Sequence, residues 1–476
     1  MRSASQWVAC ALLVVLTLAC LAPIRSYDFF WHLAAGRWIV EHRALPATDP
    51  FAVASDSHPW INGEWLFEVP LFLAWRLVGF AGLAWLRALL VGALFAGIYL
   101  LIRRSTSTPI ALLLVCLSFA GVHQRLDVRP LTLAACFVAA AVAILLRGER
   151  TSNAIAYVIL TILWMNTHPS ALLAPVLAAI AQFRGERRLW LPFASAAALL
   201  INPFGLEGIV APVRLTRFVS SGGFINAEWL PSDPRLFPLL YASIVIGAAA
   251  IASERKRSDM WRYILFAMFA LMAVRSVRHQ PLYFAALPML IAPSFAAAAG
   301  RRERLMIGVS GALIAMVALT TTHQAGVDDA RFPLHATQRL KASGLRGNIY
   351  NPDQFGGLLI WAFYPERRVL TDGRNELYQR FLPEYARARV DSRAWRALLA
   401  RYRIDLAVDE YRPPLEVIDA RTGAKRFMPA SLAYFPRNEW AVIAYDRAGM
   451  AFARRAAFDD ATIGRLELKG VVPDAR

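Results

Sequence analysis

The sequence predicts a polytopic α-helical membrane protein that ends in a soluble α/β domain. Three observations predict it. Of the 476 residues 57% are hydrophobic and the mean hydropathy is +0.41, above the roughly 45–50% apolar content of soluble domains. Apolar stretches that approach the ~20 residues of a spanning helix recur as far as Thr320. Beyond that point Arg, Asp and Glu dominate and no run is long enough to span, which leaves residues 322–476 as one soluble domain.

In order, the apolar stretches are 7–24, 83–102, 109–122, 130–146, 154–167, 170–183, 189–201, 236–252, 260–274, 281–298 and 305–321, about eleven spans. Basic clusters at Arg2, Arg103 with Arg104, Arg147 with Arg150, and residues 184–188, 255–257 and 301–304 occupy every second loop, which marks those loops as cytoplasmic. The other face receives 25–82, 123–130, 166–170, 202–235, 275–281 and the carboxy-terminal domain. In a bacterial inner membrane that face is periplasmic. The division expected is therefore a membrane domain, 1–321, with a first exoplasmic loop, 25–82, and a periplasmic α/β domain, 322–476.

Residues 64–82 are apolar but carry Glu68, Pro70 and Arg76, and read as a helix lying in the interface with Trp65 and Trp75 at headgroup depth. If that segment crossed, the alternation of charge would fail. Residues 7–24 follow Arg2 as a signal peptide would, but lack an A-x-A-like site and read as an uncleaved anchor. In the soluble domain, β-like runs at 347–351, 367–372, 404–410 and 440–446 alternate with helix-like stretches such as 379–401.

The net charge of +18 would suggest a nucleic-acid partner in a soluble chain. Here it orients loops, and only four of the 52 basic residues are Lys, a bias that reflects a GC-rich bacterial genome; no nucleic acid is expected. Cys10, Cys20, Cys116 and Cys136 all fall in expected spans, so a disulfide framework and a CxxC metal site are excluded. The chain has no Walker A motif, no GxGxxG after a strand, no HExxH and no GxSxG. That argues against an ATP-driven transporter, a dinucleotide enzyme, a zincin and a common serine hydrolase.

The unusual polar residues gather on the exoplasmic side. In "DFFWHL", Asp28, Trp31 and His32 stand at i, i+3 and i+4 and share one helix face. A carboxylate beside an imidazole there can hold a metal or take a proton from a nucleophile, and the competing reading is that Asp28 caps a helix. Asp49-Pro50 reads as a turn, and Glu64 precedes the interfacial helix, where a carboxylate suits the helix dipole. "HQRLDVRP" sets Asp127 between Arg125 and Arg129. With Arg275, Arg278 and His279 these arginines could form a basic pocket for a lipid-linked phosphate, or pair with Asp127 or headgroups. "WMNTHPS" offers Asn166 and His168 as a helix cap or a substrate contact, and Glu228 is the best candidate in the long loop 202–235. Asp372-Gly373 reads as a turn, with Arg374 and Glu376 available to line a sugar groove.

Several of these stretches carry a resemblance. "DFFWHLAAGRWIVEHRALPATDPFAV", "PWINGEWLFE", "LDVRPLTL", "WMNTH", "INPFG", "AEWLP", "GNIYNPDQFGGLLIW" and "VLTDGRNELY", with a first helix followed at once by an acidic exoplasmic loop and a terminal domain, resemble the polytopic glycosyltransferases of the C-type fold and bacterial membrane proteins placed beside them. The resemblance implies a GT-C-like membrane domain and transfer of a hexosyl or pentosyl group from a polyprenyl-phosphate sugar donor to a lipid or envelope glycan acceptor on the periplasmic face. It implies that Asp28 activates the acceptor or positions a divalent cation, with His32 beside it and Asp127 as the second acid. Glu64, Arg125, Arg129, His168, Glu228, Arg275 and Arg278 would then contact substrate. The chain departs from the pattern in having Asp28 followed by Phe29 and Phe30 rather than by a second acid, and in lacking a DxD motif in the second loop, so a cation at Asp28 and Asp127 stays open. The alternative is a non-enzymatic membrane carrier or glycan-assembly partner with a glycan-binding periplasmic domain.

Overall fold

The computed structural model describes residues 4–55, 58–148, 150–184, 189–220, 226–254, 260–295, 302–418, 423 and 425–471. Of the basic clusters, Arg2, Arg187, Arg188, Arg255, Lys256, Arg257 and Arg301 lie outside the described residues. The chain forms two compact units, one of Met1–Ile24 with Ile61–Gly326 and the other of Arg25–Trp60 with Val327–Arg476.

The first unit is helical, and every expected apolar stretch contains a helix: Ala4–Ala19, Trp65–Ile102, Thr108–Val122, Pro130–Leu146, Thr151–Met165, Leu173–Ala181, Trp190–Ala198, Pro238–Glu254, Met260–Arg275, Gln280–Ile291 and Glu303–Thr320. Among the described residues three helices, Trp65–Ile102, Thr108–Arg125 and Glu303–Thr320, are long and apolar enough to cross a membrane, and five more are apolar but shorter. Leu173–Ala181 and Trp190–Ala198 have nine residues each. At 1.5 Å per residue each covers only about 14 Å of a core about 30 Å thick. Within Trp65–Ile102, Gly79 leaves the helical region (φ 66°, ψ −171°) and divides the segment close to the expected junction of an interfacial helix and a span. The expected loop 202–235 contains a further helix, Leu206–Ser220, in which only Gly208 is buried.

One buried cation ties this unit together. Arg87 donates to Asp127 Oδ1 at 3.0 Å and to the carbonyls of Cys20 at 2.8 Å and Ala22 at 2.6 Å. A guanidinium out of water needs acceptors such as these, which meet both of its terminal nitrogens.

The second unit is built on a four-stranded sheet, β1 (Asn348–Tyr350), β2 (Ile404–Glu410), β5 (Trp440–Tyr445) and β6 (Gly449–Arg454), in the order β1-β2-β6-β5. β1 runs parallel to β2, and the other neighbours are antiparallel. β3 (Leu415–Ile418) and β4 (Lys425–Met428) form a separate hairpin. Helices Phe381–Ala388 and Ser392–Arg401 replace the single helix-like stretch 379–401, the second capped by Asp391, which accepts from the Ala394 N–H at 2.7 Å. The expected strand 367–372 forms only bridges, Val369 lying between Ile349 and Ala52.

That last bridge corrects the expected division. Val53 and Ala54 donate to Val369 O and Leu370 O at 2.9 and 3.1 Å, and Val369 donates back to Phe51 O at 3.3 Å. Trp31, Ala34, Ala35, Phe51 and Trp60 join Ile349, Tyr350, Phe355, Leu359 and Leu370 in one buried core. Residues 25–60 are thus part of this unit rather than an appendage of the helical one. Paired backbone and buried aromatic surface hold them there.

Candidate functional site

In the second unit, helix Phe29–His42 begins immediately after Asp28, which occupies the N-cap position without a side-chain capping bond. Its Oδ1 instead accepts the indole N–H of Trp31 at 3.2 Å. Two close approaches crowd the start of this helix, one at the carboxylate and one at its backbone. A Cβ on Gly373 would lie 2.7 Å from Asp28 Oδ1, and one on Gly357 would lie 3.0 Å from both Trp31 N and Tyr27 O. Only glycine lets the Asp372-Gly373 turn and helix Asp353–Phe363 come this near.

Those segments bring two more carboxyl groups into the field of Asp28. Burial pushes the Asp353 carboxyl up, and Glu410 and Asp28 add to the shift. Burial likewise pushes Glu376 up, with Asp372 and Asp28 opposing the pull of Arg374. Like charges in a poorly hydrated site favour the protonated form. His32 is 2% exposed, and its ring lies 3.6 Å from that of Trp31.

Arg374 does not line a groove, because it is 1% exposed. It pairs with Asp372 at 2.6 Å and Asp49 at 2.9 Å and lies over the rings of Trp60, Phe51 and Trp31 at 4.4, 5.2 and 5.7 Å. Asp49 also accepts from the N–H groups of Phe51 and Ala52, both at 3.1 Å. Burial pushes the Asp372 carboxyl up, but Arg374 outweighs it and holds the group below the usual carboxylate range. This buried group fastens the first loop to the Asp372 turn that abuts Asp28.

In the first unit the arginines of "HQRLDVRP" meet Glu228 of the long loop. Glu228 Oε1 accepts from Arg129 at 2.7 Å and lies 3.8 Å from Arg125. Burial pushes the Glu228 carboxyl up, but Arg129, Arg278 and Arg125 outweigh it and hold the group below the usual range. Arg278 lies over Trp229 at 5.1 Å and Arg125 over Phe237 at 5.5 Å. The Glu228 turn is pinned by Ser276 Oγ donating to Glu228 O at 2.9 Å and by Val277 N–H donating to Leu230 O at 3.1 Å. Three guanidiniums gathered at the Glu228 carboxylate are groups whose forked donors suit an anion.

The other expected residues fall elsewhere. Asp127 is 9% exposed and engaged by Arg87, so its described partners are those of a strut. His168 accepts the Ser170 N–H at 3.1 Å through Nδ1 and caps the turn Pro169–Leu172. Asn166 accepts the Trp65 indole N–H at 2.9 Å and donates to Ile201 O at 2.8 Å, joining three segments of the helical unit. The backbone of Glu64 opens helix Trp65–Ile102, with its N–H donating to Asn62 Oδ1 at 3.2 Å. Arg275 is exposed at the last turn of Met260–Arg275. Sequence reasoning missed Arg87, Asp353 and the buried Glu68, which accepts from Asn62 Nδ2 at 2.6 Å. Among the described residues no group of three His, Cys, Asp or Glu side chains could hold a metal ion.

No family model and no curated protein matches the sequence. Solved structures do match. The oligosaccharyltransferase AglB of Archaeoglobus fulgidus, in complex with an inhibitory peptide and a dolichol-phosphate, aligns over 91% of this chain and 75% of its own with a TM-score of 0.60 and 11% identity. ArnT of Cupriavidus metallidurans, bound to undecaprenyl phosphate, aligns over 95% of this chain and 98% of its own with a TM-score of 0.55 and 14% identity. The mycobacterial arabinofuranosyltransferase AftD aligns over 97% of this chain but 42% of its own, with a TM-score of 0.52 and 14% identity. The chain has the fold of these C-type glycosyltransferases.

Proposed function

We propose that this chain is a membrane glycosyltransferase that moves a hexosyl or pentosyl group from a polyprenyl-phosphate donor to a lipid or envelope glycan acceptor, on the periplasmic face of a bacterial inner membrane. The observation that carries this reading is the set of Arg125, Arg129 and Arg278 around Glu228, in a chain with the fold of enzymes solved with dolichol-phosphate and undecaprenyl phosphate.

In the reaction proposed, the acceptor hydroxyl oxygen forms a bond to the anomeric carbon as the bond from that carbon to the phosphate oxygen breaks. In the second unit Asp28 is the residue proposed to take the hydroxyl proton; in the first unit Arg125, Arg129 and Arg278 are the residues proposed to bind the polyprenyl phosphate. His32, buried against Trp31, holds the ring that donates to Asp28 and is a positioning residue. Asp127 keeps Arg87 in place rather than acting as a second acid.

The test is mass spectrometry of lipid-linked and envelope glycans in a deletion strain complemented with wild type or Asp28→Asn at matched protein levels. Loss of one sugar increment that only wild type restores is the expected result. Full complementation by Asp28→Asn removes Asp28 from the mechanism, and an unchanged glycan profile in the deletion strain overturns the transferase reading in favour of a carrier or assembly partner.

A further inference from the structure

Glu228 sits in a turn of the first unit whose backbone is fixed. Its N–H donates to Asn226 Oδ1 at 2.9 Å and its carbonyl accepts from Ser276 Oγ at 2.9 Å. Just beyond it, Val277 N–H donates to Leu230 O at 3.1 Å. The side chain is less confined. It is 31% exposed, against 12% for Arg129 and 22% for Arg125, and its rotatable bonds let the carboxylate swing toward water while the turn stays in place.

Two of the arginines have a hold of their own. Arg125 lies over the Phe237 ring at 5.5 Å and Arg278 over the Trp229 ring at 5.1 Å. A cation on a ring face is attracted there without help from a carboxylate, so these two guanidiniums keep their place when Glu228 turns away. A phosphate takes the same forked, charge-assisted contacts from a guanidinium as a carboxylate does. Glu228 and a lipid phosphate therefore compete for the same donors.

We propose that Glu228 is a displaceable counter-anion: its carboxylate engages Arg125 and Arg129 until the phosphate of a lipid-linked donor takes its place, and it returns as polyprenyl phosphate leaves. Its return hastens release of that product, because the guanidiniums exchange one anion for another instead of surrendering one. The inference rests on the reading of this cluster as the polyprenyl-phosphate site, and deepens it by assigning the group against which the phosphate must compete.

The test uses the full chain, purified in detergent and titrated with undecaprenyl phosphate, with undecaprenol as the probe that lacks the phosphate. Glu228→Gln keeps the shape of the side chain and removes its charge. It is expected to bind undecaprenyl phosphate about tenfold more tightly, mostly through a slower dissociation rate, and undecaprenol no differently. The gain should shrink in the double variant with Arg129→Gln, where one of the contested donors is gone. Thermal midpoints separate tightening from a change in stability: their rise on adding undecaprenyl phosphate should be larger in Glu228→Gln and in Glu228→Ala than in wild type. Unchanged or weaker binding in both Glu228 variants, with Arg129→Gln still weakening it, overturns the counter-anion and makes Glu228 a support that holds the arginines. Binding that none of the variants alters overturns the reading of the cluster as a phosphate site, and the counter-anion with it.

Discussion

Trp31 donates its indole N–H to Asp28 Oδ1 at 3.2 Å, one helical turn along the same face. The bond turns a carboxylate at the N-cap position away from the helix backbone it would otherwise cap. Asp28→Asn is expected to lower sugar transfer by about 10²–10⁴-fold, the range of general-base catalysis, while leaving the thermal midpoint nearly unchanged. Trp31→Phe keeps the ring but removes the donor and should give a smaller loss in kcat. A midpoint that falls with Asp28→Asn would make Asp28 a structural group.

Gly373 supplies a second test of the same carboxylate. Its missing Cβ would stand 2.7 Å from Asp28 Oδ1, closer than two unbonded atoms tolerate. Gly373→Ala is therefore expected to displace Asp28 and cut kcat about tenfold or more, since misplacement by an ångström costs up to 10²-fold. Donor binding, measured separately, should change little.

Asp353 and Glu376 give the second unit a pH dependence of definite sign. Burial, with Asp28 adding its charge, raises both carboxyls above their ordinary values. Between the unfolded and folded pKa values the native state holds more protons than the unfolded chain, so stability falls as pH rises through that window. Thermal midpoints of the purified protein from about pH 4 upward should show this decline. The double variant Asp353→Asn, Glu376→Gln should flatten it, and a decline in the variant as steep as in wild type would contradict the raised values.

Helix positions were legible because apolar runs survive without any partner, and β2 at 404–410 was read residue for residue because Ile, Leu and Val punctuate it. β6 was not, since "GMAFAR" has weak strand propensity and is held by ladders on both sides. The partner of Asp127 lies 40 residues away, beyond any local spacing rule. Arg374 beside a Gly turn looks like surface, and only the three aromatic rings from the first loop and Asp49 reveal it as core. The same blindness placed 25–60 with the helices, for nothing in "DPFAVA" announces a pairing with residues more than 300 positions on. The hydrogen bond between Trp31 and Asp28, by contrast, follows from their i, i+3 spacing on one helix face.

Buried Arg374 makes stability of the second unit sensitive to a residue far away in sequence. Asp49 and Arg374 have no exposed side-chain surface and pair at 2.9 Å. Asp49→Asn is expected to cost about 3–5 kcal/mol, the usual penalty for breaking a buried ion pair, with Asp372 left as the second anion to moderate it. Limited proteolysis of the purified protein should then cut within 327–476 faster than in wild type. Cleavage that stays at the wild-type rate would mean that Asp372 alone balances the guanidinium.

Arg129 and Arg275 separate a specific anion site from general positive charge. Both are arginines at helix ends, but Arg129 is 2.7 Å from Glu228 with a side chain 12% exposed, whereas Arg275 is exposed. A phosphate that enters this cluster meets Arg129 poorly screened by water, and Arg275 through solvent that weakens its pull. Arg129→Gln should weaken binding of undecaprenyl phosphate, measured by titration in detergent, about tenfold, and Arg275→Gln less than about twofold. Raising salt from about 0.1 to about 1 M should erode what little Arg275 contributes and leave most of the Arg129 effect. Equal losses in the two variants would reduce the cluster to diffuse attraction and remove the chief support for a bound lipid phosphate.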